Sequence, residues 1–310
     1  MKIFLAGGTG FLGQYLCRAF IEQGYKVTVL ARAPVFKACL NPGLHIIRGD
    51  PSAKGAWQEQ LAGHEAVVNL AGASIFQRWT RGVREEILKT RVLSTSNIVD
   101  GIRRSGAAGA TLFNASGVGY YGACGKTPVD EGTASSGNTF LARVASEWEQ
   151  TALKAEDGNI RVVLCRLGIV LGRYGGAFPR LLRLTRFRLC APWGNGEQWF
   201  SWIHEKDVAR IFSFLFEHMD IRGPVNFSSP APVKNREMAN ILNDLLKKTP
   251  VFPAIPAWIL RSILGEFSQV FLIGQRALPG VLTAHDFSFQ FPFLREATAD
   301  LSGRMEKHKA

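Results

Sequence analysis

An α/β chain built on a doubly wound parallel sheet is predicted by three observations. Short apolar runs alternate with amphipathic stretches of helical spacing as far as Gly172. A glycine-rich turn, Gly7-Gly8-Thr9-Gly10-Phe11-Leu12-Gly13, joins the first apolar run to the first amphipathic stretch. Later runs again end at turns, Gly49-Asp50 and Ala71-Gly72.

Each element follows from its pattern. Lys2–Ala6 reads as a buried parallel strand. Phe11, Leu12, Tyr15, Leu16, Ala19 and Phe20 then fall on one helical face, and Gly24 stops that helix. Tyr25–Leu30, Leu44–Arg48 and Ala66–Leu70 read as the second, third and fourth strands. Val83, Ile87, Val92, Thr95, Val99 and Ile102 mark a long amphipathic helix over Thr80–Arg104. Ala110–Ala115 is a fifth strand, Phe140–Glu156 a helix and Arg161–Arg166 a sixth strand. In such a sheet, ligands sit beyond the carboxyl ends of the strands, where the strand order reverses.

After Gly172 the character changes. Residues 173–202 are rich in Arg, Gly and aromatics and read as irregular, while 203–228 read as a helix and a strand (Pro224–Phe227) returning to the sheet. Pro-punctuated helices, Asn235–Lys248 and Ala257–Leu264, come next. The expected division is a Rossmann domain of residues 1–172 with 203–228. A smaller lobe, 173–202 with 229–300, closes over the sheet's carboxyl edge, and 301–310 form a basic tail.

At 310 residues the chain can bury a full core. The N-terminal apolar stretch is interrupted at once by glycines and reads as a strand, not a signal peptide. The apolar segment Trp258–Gly274 is broken by Arg261, Glu266 and Gln269, so no membrane span is expected. Cys17, Cys39, Cys124, Cys165 and Cys190 form no C-x-x-C and have no His at metal spacing. They read as free thiols of a reducing cytoplasm, with no metal site.

The formal charge of +12 favours anionic partners. Two stretches, Arg78–Arg91 and Arg173–Arg188, raise RNA binding as a class. The second holds Arg173, Arg180, Arg183, Arg186 and Arg188. The competing reading is a solvated face or a funnel for an anionic metabolite. No recognised interleaving of aromatics with these charges is present, which argues against nucleic acid.

The glycine turn assigns roles. Gly7 allows the tight turn, Gly10 lets a pyrophosphate approach the backbone, and Gly13 lets the helix pack on the strand. The helix N-terminus offers free N–H groups and a positive dipole end. Gly7, Thr9, Gly10, Phe11, Leu12 and Gly13 are therefore candidate cofactor contacts. Arg32 follows the second strand, where NAD enzymes place an acid, and no acid lies between Ala31 and Ala38. A guanidinium there suits a 2′-phosphate, with Lys37 as second contact, and so points to NADP. The alternative is an ordinary surface Arg. Asp50 reads as an adenine-edge or capping contact.

These residues resemble the short-chain dehydrogenase/reductase superfamily, in its extended, sugar-epimerase-like branch. Asn69-Leu70-Ala71-Gly72 is similar to that family's turn after the fourth strand, Ala115-Ser116-Gly117-Val118-Gly119-Tyr120-Tyr121-Gly122 to its serine segment, and Arg166-Leu167-Gly168 to its sixth-strand turn. Trp202-Ile203-His204-Glu205-Lys206-Asp207 is similar to its segment returning from the substrate lobe. Arg78-Trp79-Thr80, Trp148-Glu149, Gly196-Glu197-Gln198 and the stretch from Leu264-Gly265-Glu266 to Phe287-Ser288-Phe289 resemble one atypical subgroup. That subgroup is the "epimerase family protein" group, sometimes labelled cell-division-inhibitor homologues, with a C-terminal module of unknown role. The resemblance implies cofactor contacts at Leu70, Ala71, Gly72 and Leu167.

It also implies chemistry. Standard members use a Tyr-x-x-x-Lys pair for proton transfer. The matching positions here are Phe140 and Val144, and neither Thr139 with Arg143 nor Leu141 with Ala145 recreates it. Ser116 remains as a hydrogen-bond donor to a substrate oxygen, and Tyr120 or Tyr121 as a phenol near the nicotinamide. Both tyrosines read equally as packed aromatics. His204 reads as a general base or a satisfied structural imidazole, and Gln198 and Trp199 as substrate contacts or packing. The expected function is an NADP(H)-binding oxidoreductase or epimerase-like enzyme on a small polar or anionic substrate, as monomer or homodimer. The alternatives are a cofactor-sensing regulator with little turnover and an RNA-associated protein on the same core.

Overall fold

Period-two alternation of apolar side chains builds this molecule. In strand β1 (Lys2–Ala6), Ile3 and Leu5 enter one core and Phe4 and Ala6 enter the other. Val163 and Cys165 against Val162 and Leu164 repeat the split. Strands buried on both faces need helices on both faces.

The computed structural model describes residues 1–33, 42–106, 109–158 and 160–303. Lys37, Cys39 and the basic segment from residue 304 lie outside the described residues. Besides β1, the main sheet contains β2 (Lys26–Ala31), β3 (Leu44–Arg48), β4 (Ala66–Asn69), β5 (Thr111–Gly117), β6 (Arg161–Leu167) and β7 (Gly223–Phe227). All pairs are parallel, in the order β7-β6-β5-β4-β1-β2-β3. The order reverses between β1 and β4, which opens a crevice at their carboxyl ends. This is a Rossmann-type doubly wound fold.

Helices α1 (Phe11–Glu22), α2 (Arg81–Arg104), α3 (Phe140–Leu153), α4 (Phe178–Arg186), α5 (Glu205–Glu217) and α6 (Asn235–Leu246) follow in chain order. α1 and α5 cover one face of the sheet, where Phe20 and Phe113 both meet Phe212 edge to face. α2 and α3 cover the other, through Ile98, Val99, Ile102 and Ala152. Helix ends are set locally. The Thr80 side chain accepts from the Val83 N–H to start α2, and the Thr139 side chain accepts from the Ala142 N–H to start α3.

One expectation is corrected. Residues 173–202 are not irregular throughout, because α4 lies within them. Its buried stripe is only Phe178, Leu181 and Thr185, and Arg180, Arg183 and Arg186 occupy the exposed face. Three arginines on one helix hid its apolar side. α4 and α6 form a separate core with Trp202, Phe200 and the last helix, here α10 (Leu294–Leu301).

Three short helices precede α10: α7 (Ala257–Leu264), α8 (Gln269–Leu272) and α9 (Gly280–Ala284). The turn between α7 and α8 crosses to α2 and α3. There Phe267 packs on Trp79, and Glu266 pairs with Arg84 at 2.6 Å. Among the described residues, no helix is long and apolar enough to cross a membrane, and the cysteines form no disulfide.

Candidate functional site

The glycine turn lies at the reversal of strand order. Gly7 has φ +78°, and a Cβ on it would sit 2.7 Å from the carbonyl carbon of Leu70. A Cβ on Gly13 would overlap the carbonyl oxygen of Gly7. Gly10 precedes α1, makes no such overlap and is exposed, so its outer side is open. No side chain caps α1, which leaves its first N–H groups available to an anion. Thr9 is exposed, and its carbonyl accepts from Gln14 Nε2 at 2.8 Å. The Phe11 ring is wedged under Gly172, Gly175 and Gly176, where any Cβ would strike it.

Parallel registry brings the other candidates to the same edge. Ala6 lies beside Leu30 and Asn69, Asn69 beside Asn114, and Gly117 beside Leu167. Leu70, Ala71, Gly72, Ser116 and Leu167 thus share one rim with the glycine turn. Ala71 is fixed by its N–H donating to Asn69 Oδ1 at 3.1 Å. Arg32 is exposed just past β2. Asp50, past β3, caps its own turn by accepting from the Ser52 N–H at 2.8 Å.

Beyond β5 and β6 the rim opens into a cavity of about 390 Å³. Its walls are mostly apolar. Phe11 and Leu12 come from α1, Ile75, Phe76 and Trp79 from the segment after β4, and Leu141, Val144 and Ala145 from α3. Trp193, Trp199 and Phe200, with Val270, Phe271 and Ile273, close the far side. Gln198 and Trp199 therefore do face the cavity. Gln198 Nε2 is spent on the carbonyls of Trp193 and Phe271. The indole Nε1 of Trp199 and the Nδ2 of Asn235 are sealed from solvent without a partner. The Asn235 amide cannot be turned round, because its Oδ1 accepts the Trp193 N–H at 2.7 Å.

Of the two α3 positions matched to the pair, Val144 faces the cavity and Phe140 does not. Phe140 turns away to pack edge to face on Trp79 at 5.0 Å, beneath the Arg84 guanidinium. Leu141 and Ala145, four residues apart, face the cavity together with Val144 and Thr139. No phenol–amine pair results in either register.

Ser116 lines the cavity, but its proton is engaged. Its Oγ donates to Glu149 Oε1 at 2.6 Å, a short charge-assisted bond. Arg166 grips the same carboxylate through Nε at 2.9 Å and Nη2 at 2.8 Å. Ser116 therefore offers lone pairs to the cavity and accepts a hydrogen bond, instead of donating one as expected.

Arg166 Nη1 donates onward to the Tyr121 hydroxyl at 3.1 Å, which donates to Asn226 Oδ1 at 2.7 Å. Tyr121 is fully buried, and burial pushes its pKa up to about 12. Tyr120 lies under the Arg166 guanidinium, 3.6 Å from its ring centroid. Neither tyrosine is among the cavity-lining residues. Both are pulled aside by Arg166, a residue with no site role expected from the sequence.

His204 is a structural residue. It is fully buried, stacks on Phe291 at 4.1 Å, and caps α5 by accepting the Lys206 N–H on Nδ1 at 3.0 Å. Its Nε2 lies 3.2 Å from Asp300 Oδ2. Burial pulls its pKa down to about 4, against the attraction of Asp300. In the unfolded chain the imidazole takes up a proton near its ordinary 6.5, whereas in the fold it resists until about 4. The unfolded state thus binds more protons in that window, and stability falls as pH drops through it. Denaturant titrations of wild type and His204→Asn, which keeps a capping side chain, are expected to diverge below pH 6.5, with wild type losing more. Parallel curves would contradict this.

Of the arginine stretches, only Arg91 lines the cavity. Arg183 and Arg186 lie on the outer face of α4.

Residues 3–227 match the NAD dependent epimerase/dehydratase family, and residues 255–301 match a domain of unknown function, DUF1731. That second segment supplies the cavity wall from Gln269 to Gln275. The epimerase family protein SDR39U1 homolog, chloroplastic, of Arabidopsis thaliana is 34% identical over 304 residues, covering 96% of this chain and 85% of that one. The epimerase family protein YfhF of Bacillus subtilis is 34% identical over 302 residues, covering 97% and 98%. The human epimerase family protein SDR39U1, solved with NADPH, superposes with a TM-score of 0.83 at 27% identity, covering 98% of this chain and 99% of that one. MoeE5, solved with UDP-glucose and NAD, superposes at 0.78 with 20% identity and full coverage of both chains, a likeness of fold alone. The strand order, the glycine turn and these matches agree, and the chain belongs to the NAD dependent epimerase/dehydratase family.

Proposed function

We propose that this protein is an NADP(H)-binding oxidoreductase whose substrate occupies the cavity beyond β5 and β6. The observation that carries the reading is the open N-terminus of α1 on the same rim as that cavity. Gly7 to Gly13 would hold the pyrophosphate, with Leu70, Ala71, Gly72 and Leu167 along the rim. Arg32 would meet the 2′-phosphate, since it is exposed at the end of β2 and forms no ion pair among the described residues. The human relative solved with NADPH supports that choice. When bound, the cofactor supplies or accepts hydride. The chain's own residues orient the substrate and exclude water. Ser116, locked by Glu149, accepts a hydrogen bond from a substrate hydroxyl, and the aromatic walls strengthen that bond by keeping water out. The segments 173–202 and 229–300 act as the substrate lobe, because Trp193 to Ser201 and Gln269 to Gln275 close the cavity. The thiols fit a reducing compartment.

The test is hydride transfer in both directions, NADP+ reduction over a panel of alcohols and NADPH oxidation over the corresponding aldehydes and ketones, beside UDP-glucose 4-epimerisation. At least one alcohol, whose hydroxyl can donate to Ser116, is expected to be oxidised by the wild type and not by Gly13→Ala, with no epimerisation. NADPH binding without hydride transfer to or from any panel member would favour the cofactor-sensing alternative. Epimerisation that survives repurification would show that another proton donor replaces the missing pair.

A further inference from the structure

Arg91 is the only ionisable side chain among the described residues lining the cavity. Its Nη1 donates to the carbonyls of Ala73 at 3.0 Å and Ile87 at 2.9 Å, and its Cζ lies 5.0 Å from the Trp148 ring centroid. Gly72 leaves room for it, since a Cβ there would sit 3.1 Å from Arg91 Cγ and Cζ. The guanidinium is thus held in one place. Its Nε and Nη2 bond to no described residue, and no described carboxylate pairs with it. Desolvation pulls its pKa down to about 10. A cation drawn out of water with no counter-charge is costly until an anion joins it.

The remaining surface is mostly apolar, and of its polar side chains Ser116, Thr139, Gln198, Ser201 and Gln275 are already engaged within the chain. Sugar hydroxyls need a partner each, and a hydroxyl buried without one loses its water for nothing. Here Trp79, Trp148, Trp193, Trp199, Phe76 and Phe271 line the wall instead. About 390 Å³ is room for a small aromatic body.

We infer that the cavity binds a flat apolar molecule with a single acidic group, of the aromatic carboxylate class, its acid on Arg91 and its body among the tryptophans. This deepens the proposed function and rests on it only in placing the cofactor beside the cavity.

The probes are 2-naphthoate and 4-phenylbutyrate, each beside its neutral amide, with UDP-glucose as the polar comparator. Calorimetry uses wild type saturated with NADPH. Each acid is expected to bind at least tenfold more tightly than its amide, and UDP-glucose more weakly than both. In Arg91→Gln each acid should fall to the affinity of its amide, with amide binding unchanged. Acids no tighter than amides on wild type would overturn the inference, and that comparison needs no variant. So would a preference that persists in Arg91→Gln. So would acids that bind the unliganded chain but are displaced by NADPH, for then Arg91 serves a cofactor phosphate. If NADPH itself fails to bind, the cofactor reading fails, and the acid–amide comparison on the unliganded chain still decides the inference.

Discussion

Gly13→Ala is expected to weaken NADPH binding by at least about 100-fold, or roughly 2.8 kcal/mol at 1.4 kcal/mol per tenfold. The added methyl would overlap the Gly7 carbonyl oxygen and meet the Gly8 Cα at 2.6 Å. Both are backbone atoms, so α1 must move away from the turn that would cradle the pyrophosphate. Gly24→Ala is the control. Gly24 has φ +83°, but an added methyl there would find nothing within 4 Å. It should cost only about 1–2 kcal/mol of stability from the left-handed backbone, with NADPH affinity unchanged. Calorimetry and chemical denaturation on the two variants separate the effects. Unchanged NADPH affinity in a folded Gly13→Ala would place the phosphates elsewhere.

Arg166→Met is expected to destabilise the fold by about 3–5 kcal/mol, because Glu149 is left buried without its counter-charge. Arg166 and Glu149 are 3% and 4% exposed, so water cannot replace the lost partner. The bonds to the Tyr121 hydroxyl and over the Tyr120 ring go as well. Adding Glu149→Gln should recover part of the loss, since a neutral amide still accepts from Ser116 and needs no cation. Denaturant midpoints of the single and double variants measure this. A double variant no more stable than the single would mean that the pair contributes through packing alone.

The sheet was legible because its central strands are buried on both faces and appear as unbroken apolar runs, as in Ile3-Phe4-Leu5-Ala6. The glycine turn was legible because backbone contacts dictate its residues. α4 was not, since its three arginines match its buried positions in number and mask them. The cavity was only partly legible. Trp193 to Ser201 and Gln269 to Gln275 meet there from segments about seventy residues apart, and local periodicity carries no trace of that meeting. Ser116, Glu149 and Arg166 also lie far apart in sequence. Trp148-Glu149 stood out as a motif, but nothing local tells that its carboxylate will take the Ser116 proton. Arg91 was hidden in a charged run whose other arginines stay outside the cavity. On α3, Leu141, Val144 and Ala145 face the cavity, while the Phe140 ring is drawn off onto Trp79.

The central claim is that the rim from Gly7 to Arg32 holds a 2′-phosphorylated dinucleotide. Calorimetric titration of NADPH and NADH into the wild type and Arg32→Ala tests it most directly. NADPH is expected to bind wild type at least about tenfold more tightly than NADH, the scale of one charge-assisted contact. Arg32→Ala should close most of that gap by weakening NADPH alone. Equal affinities in the wild type, or a gap that Arg32→Ala leaves intact, would contradict it.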